Sequence, residues 1–201
     1  MALTKMEVET RMFDGFSRVI FFPSFDVNTL SSSTTLAQIL ANGKDLGQIV
    51  EGSESWDGDD IEVNTLKNTE GGAIRSKKTP GTCAWSCRIP HSKETAALVG
   101  GKTIKETSLG TDFTKADSGD VIGINPKDMM FDCPIGVLNL DRNELALFPN
   151  GSAAFALTIE DDGLMEYNVK ASANDIDTDT LSTMMFIPLK EDPLNPASVG
   201  D

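Results

Sequence analysis

Residues 79–101 read T-P-G-T-C-A-W-S-C-R-I-P-H-S-K-E-T-A-A-L-V-G-G, which indicates a strand followed by a short helix. The larger and more apolar side chains recur at every second position, as in a strand with one buried face. These side chains are Cys83, Trp85, Cys87 and Ile89. A turn at Pro80 and Gly81 is expected to open the strand, and Pro90 is expected to close it.

The helix that follows has sequence signals at both ends. Ser92 can cap its first turn, because a serine side chain accepts a hydrogen bond from a backbone N–H group there. Gly100 and Gly101 end it, since glycine tolerates the left-handed conformation of a helix C-cap. This strand and helix form the unit around which the remaining strands are expected to gather.

Turn signals divide most of the remaining chain into short apolar segments. Strands are predicted at residues 13–25, 46–50, 103–107, 121–124, 129–140, 144–148, 152–160, 164–172 and 181–189. A second short helix is predicted at residues 34–41, and Asp162-Gly163 is the strongest hairpin signal. The pattern predicts a mainly β fold, an antiparallel β-sandwich or partly closed barrel with one or two short α-helices, a long hairpin loop and terminal arms.

The 201 residues are long enough for one sizeable domain. We predict a single β-sandwich domain at residues 13–189, an N-terminal arm at residues 1–12 and a C-terminal tail at residues 190–201. Residues 51–79 are rich in Gly, Ser, Asp, Asn, Thr and Lys, so they are expected to form a long loop or hairpin within the domain. Long ordered loops in compact domains usually have a function.

The composition is strongly acidic. Seventeen Lys and Arg residues stand against thirty-one Asp and Glu residues, which gives a net charge of −14. Such a surface repels nucleic acid and anionic membranes. The sequence shows neither a secretory signal nor an apolar run that spans a bilayer, and its three cysteines fit reduced thiols. We therefore expect a soluble protein made in the cytoplasm.

Two patterns imitate binding motifs. G-G-K-T at residues 100–103 imitates the end of a phosphate-binding loop, but the predicted helix precedes these glycines instead of following them. Cys83, Cys87 and His91 have a spacing of four, which on a helix would place three metal ligands on one face. On the predicted strand, neighbours in this set lie roughly 13 Å apart, so buried reduced cysteines are favoured over a zinc site.

Calcium binding and catalysis have weaker signals. Two aspartate clusters could form a loose calcium site, although solvated acidic loops are favoured. They are Asp175, Asp177 and Asp179, and Asp57, Asp59 and Asp60. His91 is the sole histidine and no serine lies in a G-x-S-x-G turn, while a carboxylate pair for sugar hydrolysis stays open because acidic residues are so abundant. We predict no enzyme activity, no catalytic, cofactor-binding or metal-binding residue, and no cofactor.

Four segments within residues 46–187 together carry a resemblance. They are S-E-S-W-D-G-D-D-I-E at 53–62, E-G-G-A-I at 70–74, the T-P-G-T-C-A-W-S-C stretch with its short helix, and L-A-L-F-P-N-G-S-A-A-F-A-L at 145–157. The chain resembles the major tail tube proteins of long-tailed bacteriophages. The resemblance implies a β-sandwich with a flanking helix that closes into six-membered rings, which stack into a hollow tube.

The resemblance also implies partners and a location. Residues 51–79 would be the stacking element that reaches the next ring, and the two termini would be arms that reinforce the contacts. Other tail and connector proteins would be partners, whereas genomic DNA would pass through an acidic-lined conduit without specific binding, and no membrane is implied. The protein would lie in the virion tail, and in the host cytoplasm during assembly. Sheet edges of one subunit can be satisfied by the next subunit.

Two alternatives stay open at this point. The first is another phage structural protein, such as a tail terminator, a head–tail connector or a head decoration protein, whose assembly would stop at one ring or at a surface trimer. The second is a calcium-dependent carbohydrate-binding β-sandwich module, which would be monomeric and stabilised by calcium.

Overall fold

The computed structural model describes residues 16–59, 62–67, 69, 73–79, 81–104, 121–140, 143–161 and 163–189. The predicted N-terminal arm and C-terminal tail lie outside these ranges. The division into a domain and two arms therefore stays a prediction.

The described residues form fourteen strands and two α-helices. The strands are β1 (Phe16–Phe21), β2 (Lys44–Gln48), β3 (Ser55–Asp57), β4 (Glu62–Lys67), β5 (Ala73–Thr79), β6 (Ala84–Pro90), β7 (Lys102–Ile104), β8 (Val121–Gly123), β9 (Met130–Asp132), β10 (Ile135–Asn139), β11 (Glu144–Phe148), β12 (Gly151–Ile159), β13 (Met165–Ala173) and β14 (Met185–Pro188). The helices are α1 (Leu36–Leu40) and α2 (Lys93–Leu98).

Ten of these strands form two antiparallel sheets of five strands each. Sheet 1 has the order β14-β11-β10-β1-β2, and sheet 2 has the order β3-β6-β13-β12-β9. Neither sheet closes on itself, so the predicted mainly β fold is confirmed as a sandwich and not as a barrel. The two remaining pairs, β4 with β5 and β7 with β8, are separate two-stranded sheets.

The sandwich core lies between the inward faces of the two sheets. The predicted alternation in β6 is confirmed, because Trp85, Cys87 and Ile89 are buried while the residues between them are half-buried. They share one apolar cluster with Phe21 of β1 and Phe148 of β11. Burial of apolar surface of this kind is the main source of stability in a sandwich.

The outer faces of the two sheets differ. The outer face of sheet 1 is covered, because Ile39 of α1 packs with Ile20, Leu138 and Leu145 in a second apolar cluster. As a result every residue of β10 is buried. The outer face of sheet 2 instead carries mainly small or polar side chains, such as Ser86, Ala154 and Ser172.

Both predicted helices are confirmed, and the first turn of each is capped by a side chain. Thr35 and Gln38 form a capping box at the start of α1. The Ser92 hydroxyl accepts a hydrogen bond of 3.0 Å from the Thr95 N–H at the start of α2. Gly100 has a φ of +92°, and the Gly101 N–H donates to the Ala96 carbonyl at 2.7 Å, which is the glycine C-cap that the sequence predicted.

One predicted strand is wrong. Residues 129–140 form two strands, β9 in sheet 2 and β10 in sheet 1, and the chain changes sheet at Cys133 and Pro134. Proline has no N–H group for a ladder, so the strand ends there. The Cys133 N–H donates to Gly151 in sheet 2, and the Pro134 carbonyl accepts from Phe22 beside sheet 1.

Other predicted boundaries shift by a few residues. The strand predicted at residues 46–50 begins at Lys44, and in the segment predicted at residues 181–189 only Met185–Pro188 is a strand. β12 and β13 agree with their predictions within one residue and pair along their whole lengths, so the predicted hairpin is confirmed. In the region predicted as a long loop or hairpin, β3 joins sheet 2 and β4 pairs with β5.

Candidate assembly surfaces

The β4–β5 hairpin is the one predicted functional element that stands apart from both sheets of the described fold. It is inserted between β3 and β6, which are neighbours in sheet 2. Its register runs from Glu62 opposite Thr79 to Lys67 opposite Ala73, and neither strand is hydrogen-bonded into sheet 1 or sheet 2. The two strands therefore form a ribbon that is attached to the sandwich at its root.

Close contacts hold the root of the hairpin. The Asp59 N–H donates to the Thr82 hydroxyl at 3.1 Å, and this hydroxyl lies 3.1 Å from the Asp59 carboxylate, to which it donates. Gly58 lies against the same residue, because a Cβ atom at Gly58 would lie 2.4 Å from the Thr82 carbonyl oxygen. A side chain larger than glycine does not fit this crossing, so the root has a defined geometry.

The hairpin differs in charge from the rest of the chain. Residues 62–79 contain four basic residues against two acidic ones, a net charge of +2 in a chain of −14. The basic residues are Lys67, Arg75, Lys77 and Lys78, and the acidic ones are Glu62 and Glu70. The positive charge of this segment can be counted in the sequence, although the net charge of the whole chain does not reveal it. A basic ribbon on an acidic protein favours contact with an acidic surface.

A shallow groove of about 520 Å³ crosses the outer face of sheet 2. Small side chains of β6, β12 and β13 form its floor. Asp57 stands at one margin and Asp132 at the other, with Lys170 between them, and Met130 is 71% exposed at the β9 margin. Carboxylates and an ammonium group together give the groove no single charge, so its charge does not select one class of ligand.

The segment that carries Cys83, Cys87 and His91 is extended, as the strand interpretation required. Cys83 precedes β6, Cys87 lies within it, and His91 follows it. Burial, with a smaller effect of the nearby Glu54 carboxylate, raises the pKa of the Cys87 thiol to about 12. The His91 Nδ1 atom is hydrogen-bonded to the Tyr167 hydroxyl at 2.8 Å. A neutral buried thiol is a poor nucleophile and metal ligand, so Cys87 fits the core role that was favoured.

Aspartates of both clusters are engaged by other residues of the protein. Asp175 accepts from the Thr183 hydroxyl at 3.0 Å, and Asp177 forms an isolated bridge with Ser182. In the other cluster Asp59 bonds Thr82, while Asp60 lies outside the described residues. Among the residues that the structure describes, no group of three His, Cys, Asp or Glu side chains could hold a metal ion. The absence of a calcium site stays a prediction.

The G-G-K-T segment has the structure expected of a helix end. Helix α2 precedes the glycines, and Lys102 begins β7 with its ammonium group 3.2 Å from the Asp128 carboxylate. This lysine is therefore engaged by an acid and is not placed over a helix N-terminus, where a phosphate would bind. No described residue contradicts the prediction that this segment is only a cap followed by a strand.

Within the described ranges, no helix is long and apolar enough to cross a membrane. Comparison of the whole chain with protein-family models and with curated proteins found no match.

Proposed function

We propose that this protein is the subunit of a phage tail tube, in which six-membered rings stack into a hollow conduit for DNA. The β-sandwich with flanking helices is compatible with the fold that the sequence resemblance implies. The protein would occur in the virion tail, and in the host cytoplasm before assembly. Other tail and connector proteins would contact the ends of the tube.

The β4–β5 hairpin is the observation that carries the proposal. A two-stranded ribbon is marginally stable alone in water and gains stability when another surface covers it. This ribbon has a fixed root and a basic sequence, and its strands belong to the ladder of neither large sheet. These properties suit an element that reaches a neighbouring subunit, and the hairpin falls in the segment for which the resemblance implies ring stacking.

The acidic composition supports a role in conducting DNA. With the basic hairpin engaged in contacts between subunits, the remaining surface carries the excess of Asp and Glu. Carboxylates facing a lumen repel phosphate over about one Debye length, roughly 8 Å at physiological salt. DNA would then slide through the tube without adhering to its wall.

Negative-stain electron microscopy over a range of protein concentrations, with light scattering on the same samples, tests the proposal. Hollow tubes of uniform diameter would support it. Isolated rings would replace it with a terminator or connector role, and a monomer at all concentrations that calcium stabilises would replace it with a binding module.

Hairpin variants sharpen the test. Because Asp59 and Thr82 are in hydrogen-bonding distance, a short glycine linker between them removes the hairpin while β3 and β6 keep their places. Tubes are expected to be lost, whereas the melting temperature of the sandwich should change little. Lys77→Glu with Lys78→Glu reverses the hairpin charge, and Lys44→Glu with Lys127→Glu makes the same charge change at exposed positions elsewhere. Equal tube formation by both double variants would contradict a stacking role for the basic hairpin.

A further inference from the structure

Strand β12 has an open edge. It is nine residues long and pairs with β13 along its whole length, but on its other side β9 pairs only with Ser152–Ala154. The next contact is the Phe155 N–H, which donates to the Met129 carbonyl at 3.0 Å. Beyond Phe155, no described residue is hydrogen-bonded to this side of the strand.

The backbone groups on the open edge can be assigned from the ladder. In an antiparallel strand, the N–H and C=O groups of alternate residues point to the same side. The Gly151 carbonyl accepts from Cys133, and the Phe155 N–H donates to Met129, so the odd-numbered residues face away from β13. Leu157 and Ile159 therefore present their N–H and C=O groups at the edge.

The side chains at this edge do not protect it. Residues 156–159 read A-L-T-I and contain no charge and no proline, which are the usual means of blocking an exposed edge. Ile159 is 69% exposed, and Met165, which lies opposite it on β13, is 39% exposed. The other described edges of the two large sheets are short, interrupted or partly covered: β3 and β9 have three residues each, β2 has a bulge at Gly47, β14 ends at Pro188, and beyond β3 the Arg88 N–H and carbonyl of β6 are hydrogen-bonded to Ser53 and Val50.

We propose that the open β12 edge receives strand β5 from the β4–β5 hairpin of a second copy of this chain. The inference deepens the proposed function and rests on it in taking the partner to be another subunit. Charge complementarity selects the hairpin, because Asp161 adjoins the edge together with Glu160, which is also paired with Arg88 at 3.1 Å, while β5 contains Arg75 and two lysines. Strand addition would supply backbone hydrogen bonds that no described residue makes to Leu157 and Ile159, and it would bury Ile159.

The donor and the acceptor lie at opposite ends of sheet 2. The hairpin root lies next to Asp57 of β3, which pairs with Ala84 at the start of β6. The open edge lies next to Thr158 of β12, which pairs with Glu166 of β13, and Glu166 in turn pairs with Pro90 at the end of β6. The six residue steps along β6 from Ala84 to Pro90 span about 20 Å. A contact between two different surfaces leaves a free donor on one copy and a free acceptor on the other, so addition can repeat from copy to copy and build a ring or a filament.

Proline at the edge gives a direct test. The Ile159 N–H points away from β13, so Ile159→Pro removes an edge donor without breaking the β12–β13 ladder, and its folding is checked by thermal unfolding. Self-association is measured by sedimentation at low concentration for Ile159→Pro, Ile159→Lys and the control Met130→Lys, which places the same charge at another exposed apolar residue of sheet 2. We expect the association constant to fall about tenfold or more for the Ile159 variants. A normally folded Ile159→Pro protein with unchanged association would overturn the proposal.

Reciprocal charge reversal tests whether the hairpin of a second copy is the segment that binds the β12 edge. Asp161→Lys and the pair Lys77→Glu with Lys78→Glu should each weaken association, and their combination should restore part of it. Loss of association in the Ile159 variants but not on hairpin removal would show that another strand fills the edge. The failure of the edge contact can be distinguished from the failure of the tail tube function. If the Ile159→Pro protein forms normal tubes, only the edge contact is contradicted. If the combined charge reversals restore association but no tubes form, only the tail tube function is contradicted.

Discussion

The crossing of Gly58 and Thr82 makes Gly58→Ala a sensitive probe of how the hairpin is attached. The added Cβ would lie 2.4 Å from the Thr82 carbonyl oxygen, about 1 Å closer than ordinary van der Waals contact. Neither atom is at the end of a flexible side chain, so the backbone of one segment has to move. The movement would also separate Asp59 from the Thr82 hydroxyl that holds it.

The expected cost follows from these contacts. Overpacking of this kind costs about 1–3 kcal/mol, and the lower entropy of unfolded alanine offsets about 0.4–1 kcal/mol of it. The net loss is therefore about 1–2 kcal/mol, or a decrease of about 2–8 °C in melting temperature for a chain of this size. If the root opens locally instead, the melting temperature is unchanged and the Asp59 amide loses protection from hydrogen exchange.

Thermal unfolding detects a loss of stability of the whole domain, and amide hydrogen exchange on the same samples detects local opening of the root. Asp57→Ala is the control, because it changes the neighbouring residue and removes only the hydrogen bond from the Ser55 hydroxyl. Under the proposed function, Gly58→Ala should also reduce tube formation more than Asp57→Ala does, since it redirects the hairpin. A Gly58→Ala protein with wild-type melting temperature and wild-type protection at Asp59 would refute the reasoning from the close contact.

Three further predictions concern the body of the sandwich. Ser92→Ala should lower the free energy of unfolding by about 1 kcal/mol in urea titrations, whereas Ser92→Asp, which keeps a capping oxygen, should lower it less. Tyr167→Phe removes the hydroxyl bonded to His91 Nδ1 and should cost about 1 kcal/mol in the same assay; no loss would mean that the bond contributes nothing. Burial raises the pKa values of the Cys87 and Cys133 thiols to about 12, so these thiols stay protonated in the folded protein when the unfolded chain releases its protons near pH 9. Stability should therefore fall as the pH rises from 9 to 12, by up to about 1.4 kcal/mol per pH unit for each thiol, and replacing both cysteines by alanine should flatten this profile.

Local signals predicted the elements whose causes are local. Ser92 and Gly100 each act on backbone groups within a few residues, so the limits of α2 were legible in the sequence. The Cys133–Pro134 crossing was not, because all five residues of β10 are buried and show no alternation that separates them from β9. The sequence also places the start of β2 two residues too late, because its first residues show no strand signal of their own. Lys44 and Asp45 are polar, and they are in a strand because β1 pairs with them.

The two surfaces that carry the proposals depend on tertiary structure in different ways. The positive charge of residues 62–79 is present in the sequence, but the sequence does not show that these residues pair as a hairpin outside the ladders of both sheets. The open edge of β12 has no signature of its own. A nine-residue strand looks the same in sequence whether its neighbour covers three residues or all nine, and the neighbour here begins only at Met130, after a 3-10 turn at Pro126–Asp128. That turn lies on the side of β9 toward Leu157 and Ile159, so among the described residues no strand lies beside these two.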